Sequence, residues 1–286
     1  MFLPIGDRYN PEEFTPWVNY ALIAANVAVF VLISWPLSSQ GVDPRDPLAL
    51  EYLRVLRDSL PPGTVPNAVQ NAYELFVFEW GFKPARPEAV DLLSSMFLHG
   101  DVMHLAGNML FLWIYGDNAE FRLGRATYLL VYLGTGVVAT LTFAMFAASS
   151  VVPLVGASGA ISGVLGLYFI FFPRNEVKVF IFLFPFIMQT IWIRARWVLG
   201  FYVIVDNILP FVSGASSNVA YGAHLGGFFA GLAVAWAVES SGGRKPSLGS
   251  APPKTPERYA EGLFGGGGLE ATPAPAAPAP AVDARL

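Results

Sequence analysis

The stretch ATYLLVYLGTGVVATLTFAMFAASSVVPLVGASGAISGVLGLYFIFFP, residues 126–173, contains no Asp, Glu, Lys or Arg. A helix needs about 20 mostly apolar residues to cross a bilayer. This run therefore has room for two crossings, at about 126–148 and 152–172, broken near Ser149, Ser150 and Pro153. The rest of the chain agrees. Of its 286 residues 54% are apolar and 13% are charged, against about 25% charged in soluble domains. These values exclude an ordinary soluble domain. The net charge is −4 and no long basic run is present, so nucleic acid is not an expected partner. With no cysteine, disulfides, thiolate catalysis and thiolate-held metals drop out. No cofactor or metal is expected.

Working outward, a first span is read at 17–37, a second at about 92–115, a fifth at about 197–212 and a sixth at about 218–238. Residues 1–16 are polar and lack the pattern of a cleaved signal peptide. Residues 38–91 mix acidic, basic and proline residues, and are expected to form a long outer loop. Residues 179–193 are apolar but too short for an ordinary span, and contain Pro185 and Gln189. An interfacial or re-entrant segment is expected there. The expected fold is thus an all-α membrane protein, a six-helix bundle over 17–240. With six spans, Arg122, Arg125, Arg174, Lys178, Arg194, Arg196, Arg244 and Lys245 share one side. The positive-inside rule makes that side cytoplasmic, with both termini. Residues 241–286 are rich in Pro, Ala and Gly; too little apolar area is available to offset chain entropy, so a disordered tail is expected.

Chemistry enters through a few polar residues in these apolar runs, where an ionisable group marks a functional candidate. The fourth span carries Gly156-Ala157-Ser158-Gly159, followed by Gly163 and Gly166, so one of its sides is nearly bare backbone. The sixth carries a matching stripe, Ala220, His224, Gly227 and Gly231. Small faces allow close helix approach in a membrane. A serine nucleophile needs a base, because its hydroxyl is almost un-ionised near neutral pH. An imidazole set among small residues can meet a hydroxyl on a neighbouring bare helix, so His224 is a candidate base for Ser158, with a hydrogen-bonded core histidine as the other reading. On the second span His104 and Asn108 are four residues apart and share a face, and both can donate to a developing oxyanion. His99 is expected near the outer end of that span on a different face, in a structural role. Counted from the span ends, Ser158 lies about one and a half turns and His224 nearly two turns deep, each roughly 10 Å from the outside at about 1.5 Å per residue.

Together these residues resemble the rhomboid family of intramembrane serine proteases. The resemblance runs from about Trp17 to Val238 and rests on His99-x4-His104-x3-Asn108, Gly156-Ala157-Ser158-Gly159 and Ala223-His224-x2-Gly227-x3-Gly231. It implies a Ser158–His224 dyad without a third acid, with His104, Asn108 and the Ser158 N–H forming an oxyanion hole. It implies structural polar contacts from Glu120 and Arg122, substrates that are membrane-anchored proteins cut in or near their transmembrane segments, and a multi-pass protein of the bacterial inner membrane. Where some members carry an aromatic residue one turn after the serine, this chain has Ser162, so His224 must be oriented by another group. Two other readings stand beside this one. One is a non-proteolytic binder of transmembrane helices. The other is a transporter with Asp101, His104, Asp206 and His224 as a relay.

Overall fold

The computed structural model describes residues 2–8, 14–59, 68–183, 187–214 and 220–242. The expectation for the tail beyond Gly242 lies outside them. Helix α1 is Trp17–Ser38, and includes one π-helical turn at Phe30–Ser34. The segment 38–91 contains α2 (Pro47–Ser59) and α3 (Ala72–Trp80). After a short helical turn at Asp91–Phe97 come α4 (Val102–Leu123), α5 (Arg125–Phe146) and α6 (Ser158–Phe171). Helix α7 (Ala195–Val212) has a second π-helical turn, Ile204–Ile208, and α8 is Tyr221–Ser240. Among the described residues α1, α5, α7 and α8 are long and apolar enough to cross a membrane. Helix α4 is equally long but carries Asp117, Glu120 and Arg122, and α6 is apolar but has 14 residues.

The segment read as interfacial or re-entrant is built of strands. It is an antiparallel hairpin, β2 (Glu176–Leu183) and β3 (Ile187–Arg194), and β1 (Phe2–Asp7) pairs with β2 to complete a three-stranded sheet. The all-helical expectation is corrected to that extent, and so is the reading of 1–16 as a plain polar segment. Val177, Val179 and Ile181 alternate along β2 and are buried, as the two-residue period of a strand requires. Asp7 at the end of β1 accepts hydrogen bonds from Asn118 Nδ2 of α4 and the Tyr168 hydroxyl of α6. The sheet thus closes the end of the bundle where α4 and α6 finish.

At that same end the buried Glu120 carboxylate accepts from the backbone N–H groups of Val18 and Asn19 (3.2 and 2.7 Å). These are first-turn amides of α1 without partners inside their own helix. Asn19 in turn donates to Leu112 O and accepts from the Tyr128 hydroxyl. Arg122 pairs with Glu239 at 2.8 Å. The polar turn after the second span therefore ties α1, α4, α5 and α8 together.

Helices α6 and α8 touch through backbone. A Cβ built on Gly227 would meet the carbonyl oxygen of Gly159, one on Gly231 that of Gly163, and one on Gly166 that of Phe228. On the other side of α6, Gly159 faces Ala139 and Gly163 faces Thr135 of α5. No side chain fits between these helices, so the glycines set their separation. Gly231→Ala is expected to destabilise the protein by about 1–3 kcal/mol through overpacking. Gly107→Ala on α4, where a Cβ meets nothing within 4 Å, is expected to be neutral or to stabilise by up to about 1 kcal/mol. Thermal unfolding of the two variants in detergent is the check; equal midpoints would refute the close-contact account.

Candidate active site

The chain enters α6 through an extended strap. Leu154 and Phe82 exchange backbone hydrogen bonds (2.8 and 3.1 Å), and Gly156 N–H donates to Ser95 O at 2.8 Å. Gly156 has φ +120°, and a Cβ there would lie 2.8 Å from His104 Nε2. Both the backbone conformation and the space require glycine. The helix begins at Ser158 itself. This corrects the helix starts expected from the spans: Ser158 is the first residue of α6, and His224 stands in the first turn of α8. The helix does not extend back past Ala157, because Pro153 and the positive-φ Gly156 cannot continue it. Starting the helix here leaves the Ser158 N–H without an intrahelical acceptor.

The glycine contact brings Ser158 and His224 together, with Oγ to Nε2 at 2.8 Å. Both side chains are partly buried. On its other nitrogen, His224 Nδ1 lies 2.9 Å from Asn207 Oδ1 of α7. Asn207 is buried, and its Nδ2 donates to Tyr202 O at 2.9 Å. One turn into α6, the buried Ser162 hydroxyl is 2.9 Å from the Tyr202 hydroxyl.

The second span starts later than expected. Helix α4 begins at Val102, where Asp101 Oδ1 accepts from the His104 N–H at 2.8 Å as its N-cap. His99 therefore precedes the helix instead of lying on it. It is buried, its carbonyl accepts from the Tyr73 hydroxyl, and its ring meets the His104 ring edge-on at 5.1 Å. His104 and Asn108 both face Gly156, two residues before Ser158. Asn108 is 8% exposed, and its Nδ2 has no hydrogen-bond partner among the described residues. A buried amide donor left open beside Gly156, two residues before Ser158, is available to an oxygen that arrives from outside.

Asp206 stands apart. It is exposed on α7 and forms no hydrogen bond or ion pair among the described residues, so it does not join the pair. Asn207 and Tyr202 were not singled out in the sequence. A single amide in an apolar helix beside an aspartate gives no spacing signal, and the π-helical turn that aims it is invisible to a count at 3.6 residues per turn.

The chain compares with known proteins over this same region. Residues 86–241, more than half of the chain, match the Rhomboid domain. Rhomboid protein 1, mitochondrial, of Saccharomyces cerevisiae is 27% identical over 162 residues, which cover 53% of this chain and 42% of that protein. Rhomboid protease GluP of Bacillus subtilis is 33% identical over 148 residues, covering 51% of this chain and 25% of that protein. RHOMBOID-like protein 6, mitochondrial, of Arabidopsis thaliana is 27% identical over 159 residues, covering 54% and 51%. The chain thus spans between a quarter and about half the length of these curated relatives. With the larger part of its length inside the matched domain, the chain belongs to the rhomboid family and is an integral membrane protein.

Proposed function

We propose that the chain is an intramembrane serine endopeptidase that cuts membrane-anchored proteins in or near their transmembrane segments. The observation that carries this reading is the 2.8 Å contact between Ser158 Oγ and His224 Nε2, set where two apolar helices touch through glycine backbone. Ser158 Oγ attacks the carbonyl carbon of the scissile peptide while its proton passes to His224 Nε2. The new oxyanion is held by Asn108 Nδ2, His104 and the Ser158 N–H. His224 then returns the proton to the leaving amine as the C–N bond breaks, leaving an ester on Ser158. Water, deprotonated by His224, releases the second product and restores the serine.

The same reading gives six spans, with α4 and α6 added to the four longer apolar helices. His104, Ser158 and His224 then lie toward the outer side. Arg122, Arg125, Arg174, Lys178, Arg194 and Arg196 fall at the opposite, cytoplasmic side with both termini, and 38–91 forms the outer loop. A bacterial cell membrane is the proposed setting, although the relatives include mitochondrial proteins as well as one from Bacillus subtilis. The relay reading gains no support, because Asp101 is occupied as a helix cap and Asp206 is exposed away from His224. A purely binding role leaves the Ser158–His224 contact and the open Asn108 donor without a purpose.

Ser158→Ala is expected to abolish cleavage of a model transmembrane substrate while preserving the unfolding midpoint, since only the nucleophile is removed. Cleavage by that purified, folded variant near the wild-type rate would refute the protease reading. Asn108→Ala is expected to lower turnover by about 10²–10³-fold, the usual loss for one oxyanion donor. His224→Ala is expected to fall further, because among the described residues His224 is the side chain hydrogen-bonded to the Ser158 hydroxyl. Turnover of both variants on one substrate decides the roles; a dead Asn108→Ala beside a near-normal His224→Ala would reverse them.

A further inference from the structure

The hydrogen bonds behind His224 determine where its proton sits. Tyr202 O is a backbone carbonyl and only accepts. The amide group of Asn207 that contacts it at 2.9 Å is therefore the NH₂ end, which leaves Oδ1 facing His224 Nδ1 at 2.9 Å. An amide oxygen only accepts, so Nδ1 carries the proton. A neutral imidazole has one N–H, and Nε2, the atom facing Ser158 Oγ, is left with its lone pair free. The π-helical turn at Ile204–Ile208 is part of this arrangement. Such turns insert an extra residue into a helix, and one residue more or less rotates a side chain by about 100° around the axis. In α7 that turn presents the buried Asn207 to His224 while Asp206 remains exposed.

We propose that Asn207 is the positioning residue of this site: anchored on Tyr202 O, it holds His224 in the Nδ1–H tautomer and keeps Nε2 aimed at Ser158. It does the work left undone by the absence of an aromatic ring at Ser162, whose hydroxyl instead lies 2.9 Å from the Tyr202 hydroxyl. The proposal rests on the protease reading for its consequence in turnover. The tautomer itself is a property of the folded protein.

Two measurements test it separately. In protein with ¹⁵N-labelled histidine, with the His224 signals assigned by their loss in His224→Ala, Nδ1 is expected to resonate as protonated and Nε2 as bare above the titration of the ring. In Asn207→Leu, which keeps the size and removes the acceptor, the His224 signals are expected to shift to a mixture of tautomers. Kinetically, Asn207→Leu is expected to lose roughly 10- to 100-fold in kcat, a part of the 10²–10⁴-fold that an acid–base group supplies, with KM within about twofold. Asn207→Asp is expected to recover kcat to within about fivefold of wild type. An ionised carboxylate accepts from Nδ1–H, and a protonated one still accepts while its O–H donates to Tyr202 O. Wild-type His224 protonated on Nε2, an unchanged tautomer in Asn207→Leu, or Asn207→Asp as slow as Asn207→Leu would each overturn the proposal. If Asn207→Leu does not fold, the wild-type spectrum and Asn207→Asp still decide it. If Ser158→Ala retained cleavage, the protease reading would fall while the tautomer result stood on its own.

Discussion

Where α6 and α8 meet, Gly227 lies against the carbonyl oxygen of Gly159 and Gly231 against that of Gly163. Lipid gives two apolar helices little hydrophobic reason to associate, because lipid tails are as apolar as leucine. Association then rests on van der Waals fit, and bare backbone allows the closest fit. Ser158 directly precedes Gly159, and His224 stands three residues before Gly227. The contact that joins the helices therefore also fixes the 2.8 Å between Ser158 Oγ and His224 Nε2. A side chain at either glycine would push the helices apart and break that distance, so packing and site geometry are one constraint.

Polar groups inside a membrane need partners from the protein itself. At the sheet end, Glu120 takes two amides of α1, and Asp7 takes Asn118 and Tyr168. These bonds tie elements far apart in sequence and hold that end together. At the other end His224 has a partner on each ring nitrogen. Asn108 Nδ2 is among several buried polar atoms left open, and it is the one that faces Gly156. An unmet donor costs about 1–3 kcal/mol. In the proposed mechanism that cost is recovered when an oxyanion arrives, which makes the donor stronger toward the transition state than toward the resting site.

The helices with a plain apolar period were legible. The expected first span at 17–37 corresponds to Trp17–Ser38, and the third at 126–148 to Arg125–Phe146. The second span was placed about ten residues early, because hydropathy does not distinguish the apolar turn at Asp91–Phe97 from the helix that Asp101 caps. The hairpin was missed because Phe180 and Phe182 alternate with buried Val179 and Ile181; an apolar outward face hides the two-residue period. Its partner β1 is paired from far away in the sequence, Phe2 with Ile181 and Asp7 with Val177, and no local pattern announces such pairing. At the site, Ser158, His224, His104 and Asn108 stood out as polar residues at helical spacing. Asn207 did not, since its orientation depends on a π-helical turn that only the packed helix displays.

Three helices begin around the proposed site: α4 at Val102, α6 at Ser158 and α8 at Tyr221. A helix N-terminus carries roughly half a positive charge, felt mainly within the first turn. Ser158 and His224 lie within first turns, and His104 does as well. In the proposed mechanism their combined field favours negative charge on the carbonyl oxygen that Ser158 attacks. In that mechanism the same field is unfavourable for the positive ring that His224 becomes on taking the serine proton. A buried carboxylate would offset it, but an unpaired charge at this depth is costly to bury. The neutral Asn207 oxygen, anchored through its own amide to Tyr202 O, offers an acceptor dipole at Nδ1 without that cost. In the proposed mechanism, helix starts that stabilise the oxyanion and an amide that steadies the histidine divide between them what a third acidic residue does in a site open to water.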